Sequence, residues 1–197
     1  VLDLDKKTIL HIPNVNSGES TKDKIEEVGS IIDSIGEVVE GEEGTGIIVV
    51  RRHDNGETLR IADLVDDTDQ KARARTLSYL VDVASKDRDA VDIIIALGMA
   101  KEGFDWPFAE HALTIGYRSS LTEIIQIIGR VTRDSAGKTH AQFTNLLAEP
   151  DAAQSEVTIS VNNMLKAITA SLLMEQVLAQ NFEFKPKRDP DDHSEGN

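Results

Sequence analysis

The sequence predicts an α/β protein in which a parallel sheet is flanked by helices on both faces. Short apolar runs alternate along the chain with segments whose apolar residues recur at helical spacing. Residues 91–96 form the clearest strand, and their near-continuous β-branched run is typical of a strand that is covered on both faces. Such an alternation favours parallel pairing, because each helix carries the chain back to the edge where the next strand begins.

The first part of the chain is a β-α unit followed by a departure from the pattern. Residues 8–12 form a short apolar run, and residues 19–35 predict a helix with apolar residues at Ile25, Val28, Ile31, Ile32 and Ile35. Residues 37–52 instead predict a β-hairpin, because two apolar runs enclose an acidic, glycine-rich turn at residues 41–46. We expect this hairpin to be an insertion into the α/β order.

The alternation resumes after the hairpin. Residues 59–65 are a predicted strand and residues 69–83 a predicted helix. The residues of this helix that we expect to face inward are Ala72, Thr76, Leu77, Leu80 and Val83. Residues 112–116 and 139–147 are the last two predicted strands.

Two further helices are predicted. The first begins at Ser120, where Glu123 is placed to complete a capping box, and its apolar body is Ile124, Ile125, Ile127 and Ile128. The second covers residues 157–178, and its apolar stripe, a packing face for this domain or for a neighbour, is Val161, Met164, Leu165, Ile168, Leu172 and Val177. Residues 185–197 are polar and charged, which predicts a disordered tail or linker. The predicted division of the chain is 1–150, 151–180 and 181–197.

Composition limits the possible functions. The 197 residues include no cysteine, which excludes disulfides, thiol nucleophiles and cysteine-bound zinc, and the five histidines have no paired ligand spacing, so no metal site is expected. No apolar run approaches the ~20 residues that a membrane span needs, and no secretory signal is evident, so we expect a cytoplasmic protein. The net charge of −14 argues against a free-standing nucleic-acid binder.

The most informative motif is Gln-x-x-Gly-Arg-x-x-Arg, which comprises Gln126, Gly129, Arg130 and Arg133. Two guanidiniums at this spacing suit a phosphate, since each is always charged and can donate to two oxygens at once. The glycine allows another surface to approach the backbone closely. The alternative is that both arginines are solvated at the end of a helix, where the helix dipole stabilises them.

A second motif, upstream of the first, extends the pattern. The predicted strand at residues 91–96 leads into Gly-x-Asp-x-Pro, made of Gly103, Asp105 and Pro107. With these motifs in this order, residues 8–147 resemble the C-terminal RecA-like domain of superfamily 2 helicases and translocases. This class includes DEAD-box and DEAH-box proteins and the motor subunits of restriction enzymes.

Weaker matches and departures accompany the resemblance. Asp67, Gln70 and Arg73 resemble the family's short Asp-x-x-Gln-x-x-Arg segment, and residues 117–120 fall where the family crosses into its arginine helix. The family's motor strand commonly ends in Ala-Thr, whereas this chain has Ala96-Leu97, which has no hydroxyl for a nucleic-acid contact. Glu102 replaces the arginine usual in DEAD-box members. This points towards restriction-type or repair-type branches and favours DNA over RNA as the partner.

The resemblance implies half of an ATP-hydrolysing site. Arg130 and Arg133 are implied arginine fingers, and Gln126 orients their network or the attacking water. The residues implied to line the nucleotide cleft are Gly103, Asp105 and Gly129, and those implied to lie near nucleic acid are Gly98 and Arg118. The chain has no P-loop of its own, so ATP and Mg²⁺ are expected mainly on a preceding N-terminal motor domain, and the fragment alone is expected to be inactive.

Several features have competing interpretations. Residues 137–139 contain the Gly-Lys-Thr of a P-loop, but position 132 is not glycine and a predicted helix precedes, so a turn is favoured. Trp106 could stack on a nucleic-acid base, but the favoured interpretation is that it belongs to the hydrophobic core. Arg51 and Arg52 could contact phosphate. The favoured interpretation is that both are solvated and balance the negative charges of Glu40, Glu42 and Glu43. For the whole chain, the alternative to a motor domain is a non-catalytic RecA-like module that binds partner proteins.

Overall fold

A seven-stranded sheet forms the centre of the computed structural model, which describes residues 2–13, 21–66, 68–97, 104–116, 121–146 and 154–178. The strands are β1 (Thr8–Ile12), β2 (Gly36–Glu42), β3 (Ile47–Arg52), β4 (Thr58–Asp63), β5 (Ile93–Leu97), β6 (His111–Ile115) and β7 (Gln142–Leu146). The helices are α1 (Thr21–Ile35), α2 (Gln70–Tyr79), α3 (Leu121–Val131) and α4 (Gln154–Leu178). A π-helical turn at Leu80–Ala84 and a 3₁₀ turn at Arg88–Ala90 follow α2.

The sheet is mixed and mostly parallel, with the order β2-β3-β4-β5-β1-β6-β7. The five strands from β4 to β7 in this order are parallel, which confirms the predicted α/β fold class. β2 and β3 form the predicted hairpin, and β3 pairs antiparallel with β4. The hairpin therefore extends the sheet, because β4 offers β3 an edge with unpaired backbone groups.

The central strands are buried on both faces, as the apolar run predicted. Ile93, Ile94 and Ile95 of β5 are fully buried, and because successive side chains of a strand alternate, they enter two different cores. Ile94 lies in the core that includes Ile127 of α3, whereas Ile93 and Ile95 lie in the core that includes Val28 of α1. This two-sided packing holds α3, which carries the arginine motif, against the sheet.

The helix predicted at residues 69–83 changes geometry before its end. Asp69 caps α2 by accepting hydrogen bonds from the amides of Lys71 and Ala72. α2 ends at Tyr79 and continues as the π-helical turn, which holds an additional residue per turn. Ala84 is therefore buried and Val83 is exposed, so the prediction that Val83 faces inward is wrong.

The hairpin turn lies directly against α2. A Cβ added to Gly46 would overlap the hydroxyl oxygen of Thr76, and Gly46 also has a φ of +75°. Both observations require glycine, since other residues rarely adopt this φ and none fits the space. The hairpin is thus anchored to the domain through its turn as well as through β3.

Arg52 is part of the structure of the domain. It is 8% exposed, its Nε and Nη2 donate to the Asp54 carboxylate at 2.9 and 2.7 Å, and its Nη1 donates to Asp5 Oδ1 at 2.6 Å. The hydrogen bonds that Arg52 donates to Asp54 and then to Asp5 raise the pKa of Arg52 above its ordinary value. The prediction that it balances Glu40, Glu42 and Glu43 in solvent is wrong, because the chain fold brings Asp5 to it from the N-terminal segment. Arg51 is exposed, as predicted.

α4 contacts the domain through Ala167, which is not part of the predicted apolar stripe. Ala167 is fully buried and packs with Ile124 and Ile128 of α3. Val161, Leu165 and Ile168 of the predicted stripe are exposed, so the second predicted role of the stripe, a packing face for a neighbour, stays a prediction. No helix in the described part of the chain is both long and apolar enough to cross a membrane. The predicted tail lies outside the described residues.

Candidate functional site

α3 determines where the arginine motif lies. Its apolar side, which includes Ile127 and Val131, is buried, and therefore Gln126 is on the exposed side. Arg130 is in the last turn of α3, and Arg133 follows the helix end by two residues. Among the residues that the structure describes, none comes within 4 Å of a Cβ added to Gly129.

Arg130 is held by Phe104. Its Nη1 donates to the carbonyl oxygen of Phe104 at 3.2 Å, and its guanidinium carbon lies 5.3 Å from the centroid of the Phe104 ring. The second contact is a cation–π interaction. Burial and then the charge of Arg133 lower the pKa of Arg130, while Asp105 opposes this change. The side chain stays charged at neutral pH, because a guanidinium is far too basic to lose its proton there.

Arg133 forms an ion pair with Asp105, and both side chains are largely in solvent, at 52% and 62% exposure. Asp105 belongs to the Gly-x-Asp-x-Pro motif and Arg133 to the arginine motif, so the structure brings the two sequence motifs together. Because Phe104 holds Arg130 and Asp105 pairs with Arg133, consecutive residues of one motif each contact one arginine of the other.

The Gly-Lys-Thr sequence forms a turn, as favoured. Gly137 has a φ of +80°, the amide of Lys138 donates to the carbonyl of Ser135, and β7 follows instead of a helix. The strand begins at Gln142, three residues later than predicted. Lys138 Nζ donates to the carbonyl oxygen of Arg133 at 2.6 Å. This turn therefore closes onto the residue that carries the exposed guanidinium.

Trp106 belongs to the core, as favoured, because it is 2% exposed and packs in the cluster that includes Phe104. Base stacking by Trp106 is excluded at this exposure. The candidate residues Gly98, Gly103 and Arg118 lie outside the described residues, as do Asp67, Glu102 and Ser120. Arg73 of the weaker match donates through Nη1 to the carbonyl of Leu64 at 2.7 Å, which anchors α2 to the end of β4.

Sequence reasoning missed two residues of the site. Phe104 was visible between Gly103 and Asp105, and an aromatic residue next to a motif that faces an arginine is a usable signal for a cation–π contact. Lys138 was noticed only as part of a possible P-loop. Its bond to Arg133 depends on how residues 133–138 turn, for which the sequence offers only Gly137 as a signal.

The chain has a close relative among known proteins. No family model matches it. It is 64% identical over 194 residues to a Bacillus subtilis (strain 168) protein described as "Putative ATP-dependent helicase YeeB", and this match covers 98% of the chain and 32% of the relative. The chain is therefore similar to one segment of a putative ATP-dependent helicase, and it spans about a third of the length of that relative.

Solved structures also align with the chain at low identity. The ATP-dependent type ISP restriction-modification enzyme LlaBIII bound to DNA aligns at 14% identity with a TM-score of 0.48, covering 84% of this chain and 10% of that chain. The C-terminal part of the Fun30 ATPase domain aligns at 16% identity with a TM-score of 0.43, covering 88% and 48%. Domain 2 of the DEAD-box helicase Mss116p bound to an RNA duplex aligns at 15% identity with a TM-score of 0.36, covering 87% and 77%.

Proposed function

We propose that this domain is the C-terminal motor domain of an ATP-dependent nucleic-acid helicase or translocase. In this proposal residues 1–150 form the motor domain and residues 151–180 a helical extension. Arg130 and Arg133 act on ATP and Mg²⁺ that are held mainly by an N-terminal RecA-like domain of the same longer protein, in the cytoplasm. The observation that carries the proposal is the exposed Arg133 guanidinium beside Asp105, in a chain 64% identical to a putative ATP-dependent helicase.

The residues present fit an anionic phosphate. Arg133 projects past the end of α3 with its guanidinium half in solvent, and Gly129 leaves room for an approaching surface. Arg130 and Arg133 supply two positive charges to the site, which Asp105 only partly balances. A bound ATP supplies a γ-phosphoryl group, for which an arginine finger contributes ~10³ to 10⁵ in rate.

The contact between Arg133 and Asp105 suits a finger. A solvent-exposed ion pair contributes only about 0–1 kcal/mol, because water screens both charges. Asp105 therefore orients the Arg133 guanidinium but binds it only weakly. The guanidinium can exchange this contact for stronger bidentate donation to phosphate oxygens. Arg130 is more tightly held by Phe104, so we assign it the role of supporting charge and Arg133 the role of the finger.

Nucleic acid is the proposed second partner, with DNA favoured over RNA. Gly98 and Arg118 are the proposed contacts on this domain. Because the net charge is −14, the domain itself displaces few counterions, and most of the affinity is assigned to the rest of the protein.

The decisive experiment replaces Arg133 in the full-length protein that contains this domain. Arg133→Ala is expected to reduce nucleic-acid-stimulated ATP hydrolysis by ~10³ or more, with ATP affinity within about twofold of wild type, because a finger acts mainly in the transition state. Arg51→Ala is the matched control, since Arg51 is an exposed arginine on β3, away from α3. Unchanged hydrolysis by Arg133→Ala would exclude the finger role.

The alternative is a non-catalytic module that binds partner proteins. Exposed Val161, Leu165 and Ile168 on α4 favour it, because such an apolar face is typical of an interaction surface. The two functions differ in a simple measurement. A full-length protein that hydrolyses ATP only in the presence of DNA or RNA supports the motor, and one that hydrolyses no ATP under either condition supports the module.

A further inference from the structure

The turn that follows α3 is closed by a lysine side chain. The amide of Thr132 donates to the carbonyl of Ile128, and Arg133 follows this helical hydrogen bond. Carbonyls at this end of a helix have no partner within the helix and take donors from elsewhere. Here the donor is Lys138 Nζ, 2.6 Å from the Arg133 oxygen.

We propose that Lys138 is a positioning residue that fixes the backbone of Arg133 and thereby the reach of its guanidinium. This inference rests on the proposed finger role of Arg133. Lys138 contacts the main chain of the finger residue, while Asp105 contacts its side chain. The two contacts restrain different parts of Arg133, so the backbone restraint persists when the guanidinium leaves Asp105 for a phosphate.

The surroundings of Lys138 support a fixed role. Its amide donates to the Ser135 carbonyl, and Gly137 adopts a φ of +80° that lets the turn bring Lys138 back towards the end of α3. Burial lowers the pKa of Lys138, and the charges of Glu110 and Asp134 oppose this change.

The test uses Lys138→Met in the full-length protein, since methionine keeps much of the side-chain length and removes the donor. We expect kcat for nucleic-acid-stimulated ATP hydrolysis to fall about tenfold and KM for ATP to change less than about twofold, because the lost charge-assisted hydrogen bond orients a finger that acts mainly in the transition state. Affinity for ADP with aluminium fluoride is expected to fall in parallel, with ADP affinity unchanged. Lys86→Met, at an exposed lysine, is the matched control.

Two additional variants separate positioning from a general effect on folding. Lys138→Arg retains a charged donor and is expected to restore most of the lost kcat. Gly137→Ala keeps the ammonium but strains the turn, and nothing lies within 4 Å of the added Cβ, so it is expected to lower kcat without a clash. A Lys138→Met enzyme whose KM rises while kcat stays at the wild-type value overturns the inference, and so does one for which Lys138→Arg gives no recovery.

The outcomes distinguish this inference from the function on which it rests. If Arg133→Ala abolishes hydrolysis and Lys138→Met hydrolyses like wild type, Arg133 is the finger and Lys138 does not position it. If Arg133→Ala hydrolyses like wild type, both the finger role and the inference are wrong. If both variants lose kcat and Lys138→Arg recovers it, both are supported.

Discussion

Arg52 and Arg133 are surrounded by the protein to very different extents. The Arg52 side chain is 7% exposed and bonds to Asp5 and Asp54, with Glu57 at 3.9 Å. The Arg133 side chain is 52% exposed, and among the described residues one carboxylate, Asp105, pairs with it. The Arg52 guanidinium is bound by carboxylates of the protein, whereas most of the Arg133 guanidinium is available to a ligand. An arginine therefore serves the fold or the site according to how many of its donors the protein itself occupies.

The sharpest test of this comparison measures activity and stability for both arginines. Arg133→Ala is expected to lose ~10³ or more in ATP hydrolysis, as above, and to change the free energy of unfolding by less than about 0.5 kcal/mol, because an exposed side chain supports little of the fold. Urea denaturation of the same preparation provides the second value. A large loss of stability would show that Arg133 is structural and would remove the contrast.

Arg52→Ala is expected to give the reverse result. It should lower the free energy of unfolding by about 2 kcal/mol, since hydrogen bonds to charged groups are lost from a buried side chain. Hydrolysis per folded molecule should match wild type. The neighbouring Arg51→Ala is the control in urea denaturation, where it should change the free energy of unfolding by less than about 0.5 kcal/mol. Equal effects of the two variants would contradict the structural role of Arg52.

Asp105→Asn tests the carboxylate that pairs with the exposed Arg133. The exposed ion pair with Arg133 contributes at most about 1 kcal/mol, so the free energy of unfolding should change by no more than that. Hydrolysis should fall by less than in Arg133→Ala, because the guanidinium is still present but less well oriented. A variant that unfolds far more easily in urea would indicate that the pair belongs to the fold.

The smallest expected effect is the pH dependence of the Arg52 cluster. The side-chain hydrogen bond from Arg52 holds the pKa of Asp54 below its usual 3.8. A carboxylate with a lowered pKa stabilises the folded state above its unfolded pKa, and this stabilisation is lost as pH falls through the folded pKa. The difference in unfolding free energy between wild type and Asp54→Asn should therefore be constant near neutrality and shrink below about pH 4. If the difference in unfolding free energy stays the same at lower pH, the effect of Asp54→Asn comes from changed packing or hydrogen bonding and not from the lost charge.

The α/β fold could be predicted because its signals are local. The isoleucine run of β5 and the helical spacing in α1 specify which residues need burial, and the glycine-rich turn specifies a hairpin. For α4, the sequence left open whether the apolar stripe packs on this domain or on a neighbour. Val161, Leu165 and Ile168 of that stripe are exposed, whereas the contact with α3 is made by Ala167, a small residue for which the sequence offers no comparable signal.

By itself, the sequence determined the strand-helix alternation and the two motifs that contain Asp105 and Arg133. Both follow from residue type and spacing along one chain. The tertiary structure alone decided that Asp105 pairs with Arg133, that Phe104 and Lys138 hold the two arginines, and that Asp5 reaches Arg52. The physical reason is that the geometry of a guanidinium's partners depends on residues distant in the chain or on the path of a turn. Neither is specified by the residues that form the motif.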